Sequence, residues 1–525
     1  MARNSYALYG DRSRGFGGRA RWLACVALGS LALSNAGASA LSDAAAHGDA
    51  AGVEKLIKSS AGDVNRPGQD GMTPLLWAVQ VNDVELARML LGAGADANLA
   101  NRYGITPLWV AATNRNPALV ALLLAHGANA SAALPNGETA LMAAARAGDV
   151  ESINELIHAG ADPNARESLL GETGLMWAAG EDHADAVRAL VAGKADPNLA
   201  SNDLNLAPMD WVQVGMVSTV LPVGGWPPLL FAARQNAKAA ALALIDVGAD
   251  RNIRDPDGLT ALNIAVMNQH YDLAVALLEA GADPNVGDRT GMTPLYGAVE
   301  MENVGFVVGR PPVPRADQHD AIGFMKAALM HGANPDARLT GPILAQYHGF
   351  PDRSLAAGAT PLMRAVKARD VAAIKLLLDS GASATAVQDD GSGVLHVLAT
   401  ARPATKPEDI ATELDVVKVL LGAGATVSAV MKDGQTPIHR AARAGNANLI
   451  KLLVENGAPI NAGDKDGRTA YDFATQPGRG NNPAIAELLT SLGGKGGNVK
   501  AGAAIGVDPG LVQGLGFNTK SAKKK

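Results

Sequence analysis

The side chains able to do chemistry in this chain are numerous, but their spacing denies them a common site. The ten histidines are His47, His126, His158, His183, His270, His319, His331, His348, His396 and His439, and none forms the close pair that zinc ligation on one helix needs. Asp255-Pro256-Asp257-Gly258 and Asp464-Lys465-Asp466-Gly467 resemble the opening of calcium loops. Such a loop ends in a bidentate glutamate at its twelfth position, where Val266 and Thr475 stand instead. The densest polar cluster is Glu181, Asp182, His183 and Asp185, which falls in the connection between two expected helices, where polar residues are ordinarily exposed. There is no G-x-S-x-G nucleophile elbow and no G-x-x-x-x-G-K-[ST] phosphate loop. Cys25 is the single cysteine. We therefore expect no enzyme, no metal site and no cofactor.

The elements that would position such residues form a short recurring unit, clearest in DGQTPIHRAARAGNANLIKLLVENGAPINAGDK from Asp433 to Lys465. Asp433-Gly434 is a turn, since glycine alone takes positive φ without cost. Thr436-Pro437 opens a helix, with the threonine hydroxyl free to cap a backbone N–H and proline suited to the first helical position. Ile438, Ala441 and Ala442 give that helix a small apolar face, and Leu449, Ile450, Leu452, Leu453 and Val454 form the stripe of a second helix. Gly457 ends it in the left-handed conformation. Two such helices cannot bury their apolar faces alone, so the unit must stack on copies of itself.

The copies are counted by Gly71, Gly104, Gly137, Gly171, Gly225, Gly258, Gly291, Gly358, Gly391, Gly434 and Gly467, spaced 33 or 34 apart except for intervals of 54, 67 and 43. Thr-Pro-Leu recurs at Thr73, Thr106, Thr293 and Thr360, with Thr436-Pro437-Ile438-His439 as its variant. This period and motif resemble the ankyrin repeat over residues 41 to 492. The resemblance implies an all-α solenoid of about 11 or 12 helix-turn-helix-hairpin repeats with inserted loops. It also implies that His396 and His439, in the T-P-L-H position, make structural hydrogen bonds between neighbouring repeats; Leu76, Trp109, Met142, Leu230 and Met363 replace them elsewhere.

The chain divides into three parts. Residues 1–40 read as a signal peptide: arginines at 12, 14, 19 and 21 precede the apolar run Trp22 to Leu33, and Ala38-Ser39-Ala40 suits cleavage. Twelve apolar residues are too few to span a bilayer, so no stable membrane span is expected once the leader is removed. Export to the periplasm or the extracellular space follows, and loss of Cys25 would leave a mature chain without thiol or disulfide. The array at 41–492 begins with a repeat lacking Thr-Pro, in which Ser42 is placed to cap the first helix. Insertions interrupt it near 201–222, 304–321, 338–354 and 402–412. Lys194 replaces the helix-ending glycine in the fifth unit, a strain of roughly 1 kcal/mol. Residues 493–525, rich in glycine and with six lysines against Asp508, read as a flexible tail.

The leader carries a charge of +4 within a total of −6, so the remainder is at −10, which argues against a nucleic-acid partner. What remains is a surface that binds protein. In the ankyrin family, hairpins and first helices line a concave face where partners usually lie. The residue after each turn glycine is read as projecting there: Met72, Ile105, Trp226, Leu259 and Met292 are apolar, whereas Glu138, Glu172, Gln435 and Arg468 are not. Trp77, Trp109, Trp177, Trp211 and Trp226 all precede residue 227, and tryptophan is enriched among residues that dominate interface energy. The binding set expected is Met72, Ile105, Trp211, Trp226, Leu259, Met292, Tyr347 and Phe350, with the insertions as specificity fingers. The function expected is a monomeric, non-catalytic scaffold for a partner protein. Its alternatives are an accessory subunit of a secreted or periplasmic enzyme or redox complex, and a secreted effector acting on a host or competitor protein.

Overall fold

The computed structural model describes residues 40–59, 63–68, 71–204, 223–303, 317–341, 343, 355, 357–476 and 481–499. They form twelve helix pairs in two units. The first unit holds repeats 1 to 6: Ala40–Ala46 with Ala50–Ser59, Pro74–Gln80 with Val84–Gly92, Pro107–Thr113 with Pro117–Ala125, Ala140–Ala147 with Val150–His158, Gly174–Gly180 with Ala184–Ala192, and Pro228–Arg234 with Lys238–Asp246. The second holds repeats 7 to 12: Ala261–Met267 with Tyr271–Glu279, Pro294–Asn303 with Ala321–Met330, Pro361–Ala368 with Val371–Asp379, Val394–Thr400 with Pro407–Gly422, Pro437–Ala444 with Ala447–Glu455, and Ala470–Ala474 with Pro483–Ser491. Within each unit, first helices stack on first helices and second on second. The fold is an all-α repeat solenoid. Among the described residues there is one strand pair, β1 (Asp203–Leu204) against β2 (Val223–Gly224), two residues long and antiparallel.

Local chemistry sets these boundaries. Thr73 Oγ1 accepts the Leu76 N–H at 3.1 Å, and Thr106, Thr139, Thr173 and Thr360 cap their helices in the same way. Second helices are capped by Asp83, Asn116, Asp149, Asp370, Asn446 and Asn482. Each cap is worth about 1 kcal/mol. Thr436 departs from its expected role. Its hydroxyl lies 2.9 Å from His439 Nδ1, and its own N–H donates to that nitrogen. Ser42 lies inside the first helix and donates to Met72 O at 3.1 Å, tying repeat 1 to repeat 2.

Fully buried leucines such as Leu86, Leu90, Leu119 and Leu123 hold the second helices of the first unit together, each worth about 2 kcal/mol. Asparagines stitch successive hairpins. Asn98 Nδ2 donates to Gly127 O at 2.9 Å, and its Oδ1 accepts the Asn129 N–H at 2.7 Å. Asn164, Asn285 and Asn461 make the same double contact further along.

A left-handed residue is also needed between the two helices of a pair. Gly48, Gly148 and Gly445 supply it without cost, but Asn82, Arg115, Asp182, Asn236, Gln269 and Arg369 stand there at φ between 56° and 65°. Lys194 takes φ 74° at the end of its second helix, where Gly94, Gly127 and Gly160 serve neighbouring repeats. A Cβ at those three glycines would meet nothing within 4 Å, so the lysine suffers from its backbone conformation and not from crowding. Lys194→Gly retains the bonds to Val191 O and from Asn164 Nδ2, which involve only the backbone atoms of residue 194. It should stabilise the first unit by about 0.5–1 kcal/mol, the relief of strain less the extra freedom of the unfolded glycine. A higher urea midpoint would show this, and a lower one would refute it.

The insertions fare differently. That near 402–412 lengthens the second helix of repeat 10 to 16 residues, Pro407–Gly422. Asp317 to Asp320 end the insertion near 304–321, and the N–H groups of Gln318 and His319 donate to Asp272 of repeat 7. The leader to residue 39, residues 205–222, 304–316 and 344–354, and the tail from residue 500 lie outside the described residues. The tail's first residues are not free. Lys495 N–H donates to Asn461, Lys495 O accepts from Thr469, and Gly497 N–H donates to Asp472, which lays residues 493–498 along the last repeat.

Candidate functional site: the hairpin and first-helix face

Every hairpin presents the residue after its turn glycine, but not every such residue reaches the surface. Met72, Leu259 and Met292 are buried, at 8%, 2% and 1% exposure, so these three do not form the apolar binding surface expected of them. Hydrogen bonds from the preceding repeat show why. Ser42 Oγ bonds to Met72 O, and Asn263 Nδ2 to Met292 O, which draws this position into the seam between repeats. Ile105 and Trp226 remain half-exposed. Trp211, Tyr347 and Phe350 lie outside the described residues.

Around Trp226 and Trp177 the first unit builds two aromatic-cation groups. Arg146 of repeat 4 stacks on the Trp177 ring of repeat 5, with the guanidinium carbon 4.8 Å from the centroid. The other side of this arrangement is polar. Trp177 Nε1 donates to Glu172 at 2.7 Å, and Arg146 Nη2 pairs with the buried Glu138 at 2.8 Å. In repeat 6, Phe231 meets Trp226 edge-on at 5.8 Å and Arg234 lies 5.4 Å from the same ring. These residues hold half-exposed rings in fixed orientations, which lowers the entropy lost when a partner covers them.

The same face is closed in repeats 7 to 10. Leu259 to Met267, Met292 to Met301, Gly358 to Val366 and Ser392 to Ala399 are buried without interruption. Repeat 4 is closed in the same way from Glu138 to Ala145, but in repeats 2, 3, 5 and 6 Trp77, Trp109, Trp177 and Phe231 are half-exposed and Val81 is 44% exposed. First helices in repeats 8 to 10 reach solvent only at their ends, through residues such as Glu302, Lys367 and Thr400. Arg146–Trp177 was within reach of sequence reasoning, because the two positions lie one repeat apart on adjoining first helices. Closure of repeats 7 to 10 was not, since their residue types, such as Glu300 and Arg364, do not announce burial.

Polar clusters singled out by composition serve the scaffold. Asp182 accepts the Ala240 N–H at 2.8 Å, His183 Nε2 contacts Arg146 O at 3.1 Å, and Asp185 pairs with Arg188. Asp272 and His319 form a carboxylate–imidazole pair at 2.7 Å. Burial acts to raise the Asp272 pKa, but the bonds from Gln318 and His319 outweigh it and hold the carboxyl below its ordinary range. The pair fastens residues 317–320 to repeat 7. Among the described residues no three histidine, cysteine or acidic side chains are grouped to hold a metal ion, and no helix is long and apolar enough to cross a membrane.

Comparison with protein families now bears on this architecture. Ankyrin repeats (3 copies) match residues 27–101, 76–167, 141–250, 229–308 and 409–500, and a single ankyrin repeat matches 357–389. The chain belongs to the ankyrin-repeat family. No curated protein matches it beyond that. Ankyrin-repeat proteins are generally non-catalytic scaffolds for protein interaction. The implied role of the T-P-L-H histidines holds in detail. His396 Nε2 contacts Gln435 O at 3.2 Å and His439 Nε2 contacts Arg468 O at 3.1 Å, each in the next ankyrin repeat. Asn263 does the same work in repeat 7, with Thr260 N–H on its Oδ1 and Met292 O on its Nδ2. In the first unit Leu76, Trp109, Met142, Met176 and Leu230 occupy this position, so those ankyrin repeats are joined there by packing.

Proposed function

We propose that this ankyrin-repeat chain is an exported, non-catalytic scaffold that holds a partner protein on the hairpin and first-helix face of repeats 2 to 6. The observation that carries this reading is the contrast in exposure: half-open aromatics in repeats 2, 3, 5 and 6, with arginine bracing Trp177 and Trp226, against continuous burial along the first helices of repeats 7 to 10. Rigid aromatic anchors beside arginine are the residue types that dominate interface energy. Export rests on the arginine-flanked apolar run and the Ala38-Ser39-Ala40 pattern.

The test begins with cross-linking of the mature chain in the exported fraction and identification of the captured protein. Affinity is then measured with that purified protein. Trp226→Ser and Trp177→Ser should each weaken binding by roughly 30-fold or more, the effect of truncating an interface hot spot. Lys326→Ser, on an exposed second-helix position of repeat 8, should leave it unchanged. Affinity unchanged from that of the natural chain in both tryptophan variants, with folding intact, would remove this face from consideration. Retention of the chain in the cytoplasm would separately refute export.

A further inference from the structure

The hydrogen bonds around His396 and His439 leave only one protonation state. A carbonyl oxygen only accepts, so Nε2 of His396 must donate to Gln435 O, and Nδ1 must accept the Gly393 N–H, which lies 3.2 Å away. His439 is bonded alike, with Thr436 N–H on Nδ1 at 3.0 Å and Arg468 O opposite Nε2. Both rings are therefore neutral, and both are buried, at 1% and 0% exposure. A proton added to Nδ1 would face another N–H and break the bond that starts the helix. His439 has some relief, because the Thr436 hydroxyl, 2.9 Å from Nδ1, can turn to accept. His396 has none, because Gly393 stands where the threonine would be.

We propose that mild acid unlatches repeat 10 from repeat 11 at His396, and more weakly repeat 11 from repeat 12 at His439, while the rest of the array stays closed. The charged groups around each ring are consistent with this. For His396 burial is the largest influence and, with Arg440 of the next first helix, disfavours the cation. Asp390 and Asp433 in the two flanking hairpins favour it but do not prevail, and the pKa falls to about 4. His439 is lowered mainly by burial, against Asp464 and Asp433, with Phe473 edge-on at 5.6 Å. An opened seam protonates at the ordinary histidine value near 6.5, whereas the closed seam resists until well below it. Between those limits each unit of acidification favours opening about tenfold per histidine. Repeats 2 to 6 have no titratable group at this position, and repeat 7 has Asn263, which makes both bonds without titrating.

Amide hydrogen exchange on the full chain at pH 7 and pH 5, corrected for intrinsic rates, tests this directly. Protection of Val394–Thr400 should fall about 20-fold and that of Pro437–Ala444 by less, while that of Ala261–Met267 stays constant. His396→Asn copies the asparagine of repeat 7 and should abolish most of the loss. Unchanged protection in repeats 10 and 11 at pH 5 would overturn the proposal, as would an equal loss in repeat 7. An acid response as large in His396→Asn as in the natural chain would do the same. Should that variant not fold, the comparison between repeats of the natural chain decides the matter alone.

Discussion

Arg364→Met is expected to destabilise the second unit by about 3–5 kcal/mol, the usual result of removing one partner from a buried ion pair. Arg364 in repeat 9 pairs through Nε with Glu300 of repeat 8, and the side chains are 8% and 4% exposed. The methionine fills much of the space but leaves Glu300 charged in a site closed to water. The double change Glu300→Leu with Arg364→Met should recover most of the loss, because two apolar groups of similar volume need no partner. Urea unfolding followed by far-UV circular dichroism would show the single variant losing ellipticity at clearly lower denaturant than the double. Equal midpoints for the natural chain and Arg364→Met would mean that the pair contributes nothing to stability.

A comparable effect is expected at Glu413, which is 2% exposed and joins three repeats. Its carboxylate accepts from Arg369 Nη2 at 2.8 Å and from Asn446 Nδ2 at 3.0 Å, so it links the end of the first helix in repeat 9 to the cap of the second helix in repeat 11. Glu413→Ala should cost about 2–4 kcal/mol, since it removes the carboxylate partner of a largely buried guanidinium, which keeps only its bond to Arg402 O, and the acceptor of a buried amide. Glu413→Gln retains an acceptor for one of them, and we expect about half that loss. Hydrogen exchange in Ala447–Glu455 would report the alanine change as local opening. A loss confined to repeat 10 would show that the bridge does not couple its neighbours.

Both sites depend on residues that break the repeat pattern, which is why neither is visible in the period. Glu300 and Arg364 lie 64 positions apart across the two insertions of repeats 8 and 9. Glu413 sits where an insertion has been absorbed into a lengthened helix. The inter-helix turns are a subtler case. They recur in most repeats as left-handed residues, but glycine holds only some of them, so a count of glycines passes over Arg115 and Gln269.

By itself the sequence determined the repeat, its helix pairs, the Thr-Pro starts and the hairpin glycines, while the histidine bonds between repeats came from the family resemblance. Each of these is set by contacts within one unit or with the next one along, and the period of 33 displays them. Only the tertiary structure decided which positions of a shared backbone site meet solvent. Met72, Leu259 and Met292 were expected beside Ile105 and Trp226 on one apolar face, yet the first three are buried and the other two half-exposed. Side-chain exposure depends on what neighbouring repeats place over a position, and that information is held many residues away from the position itself.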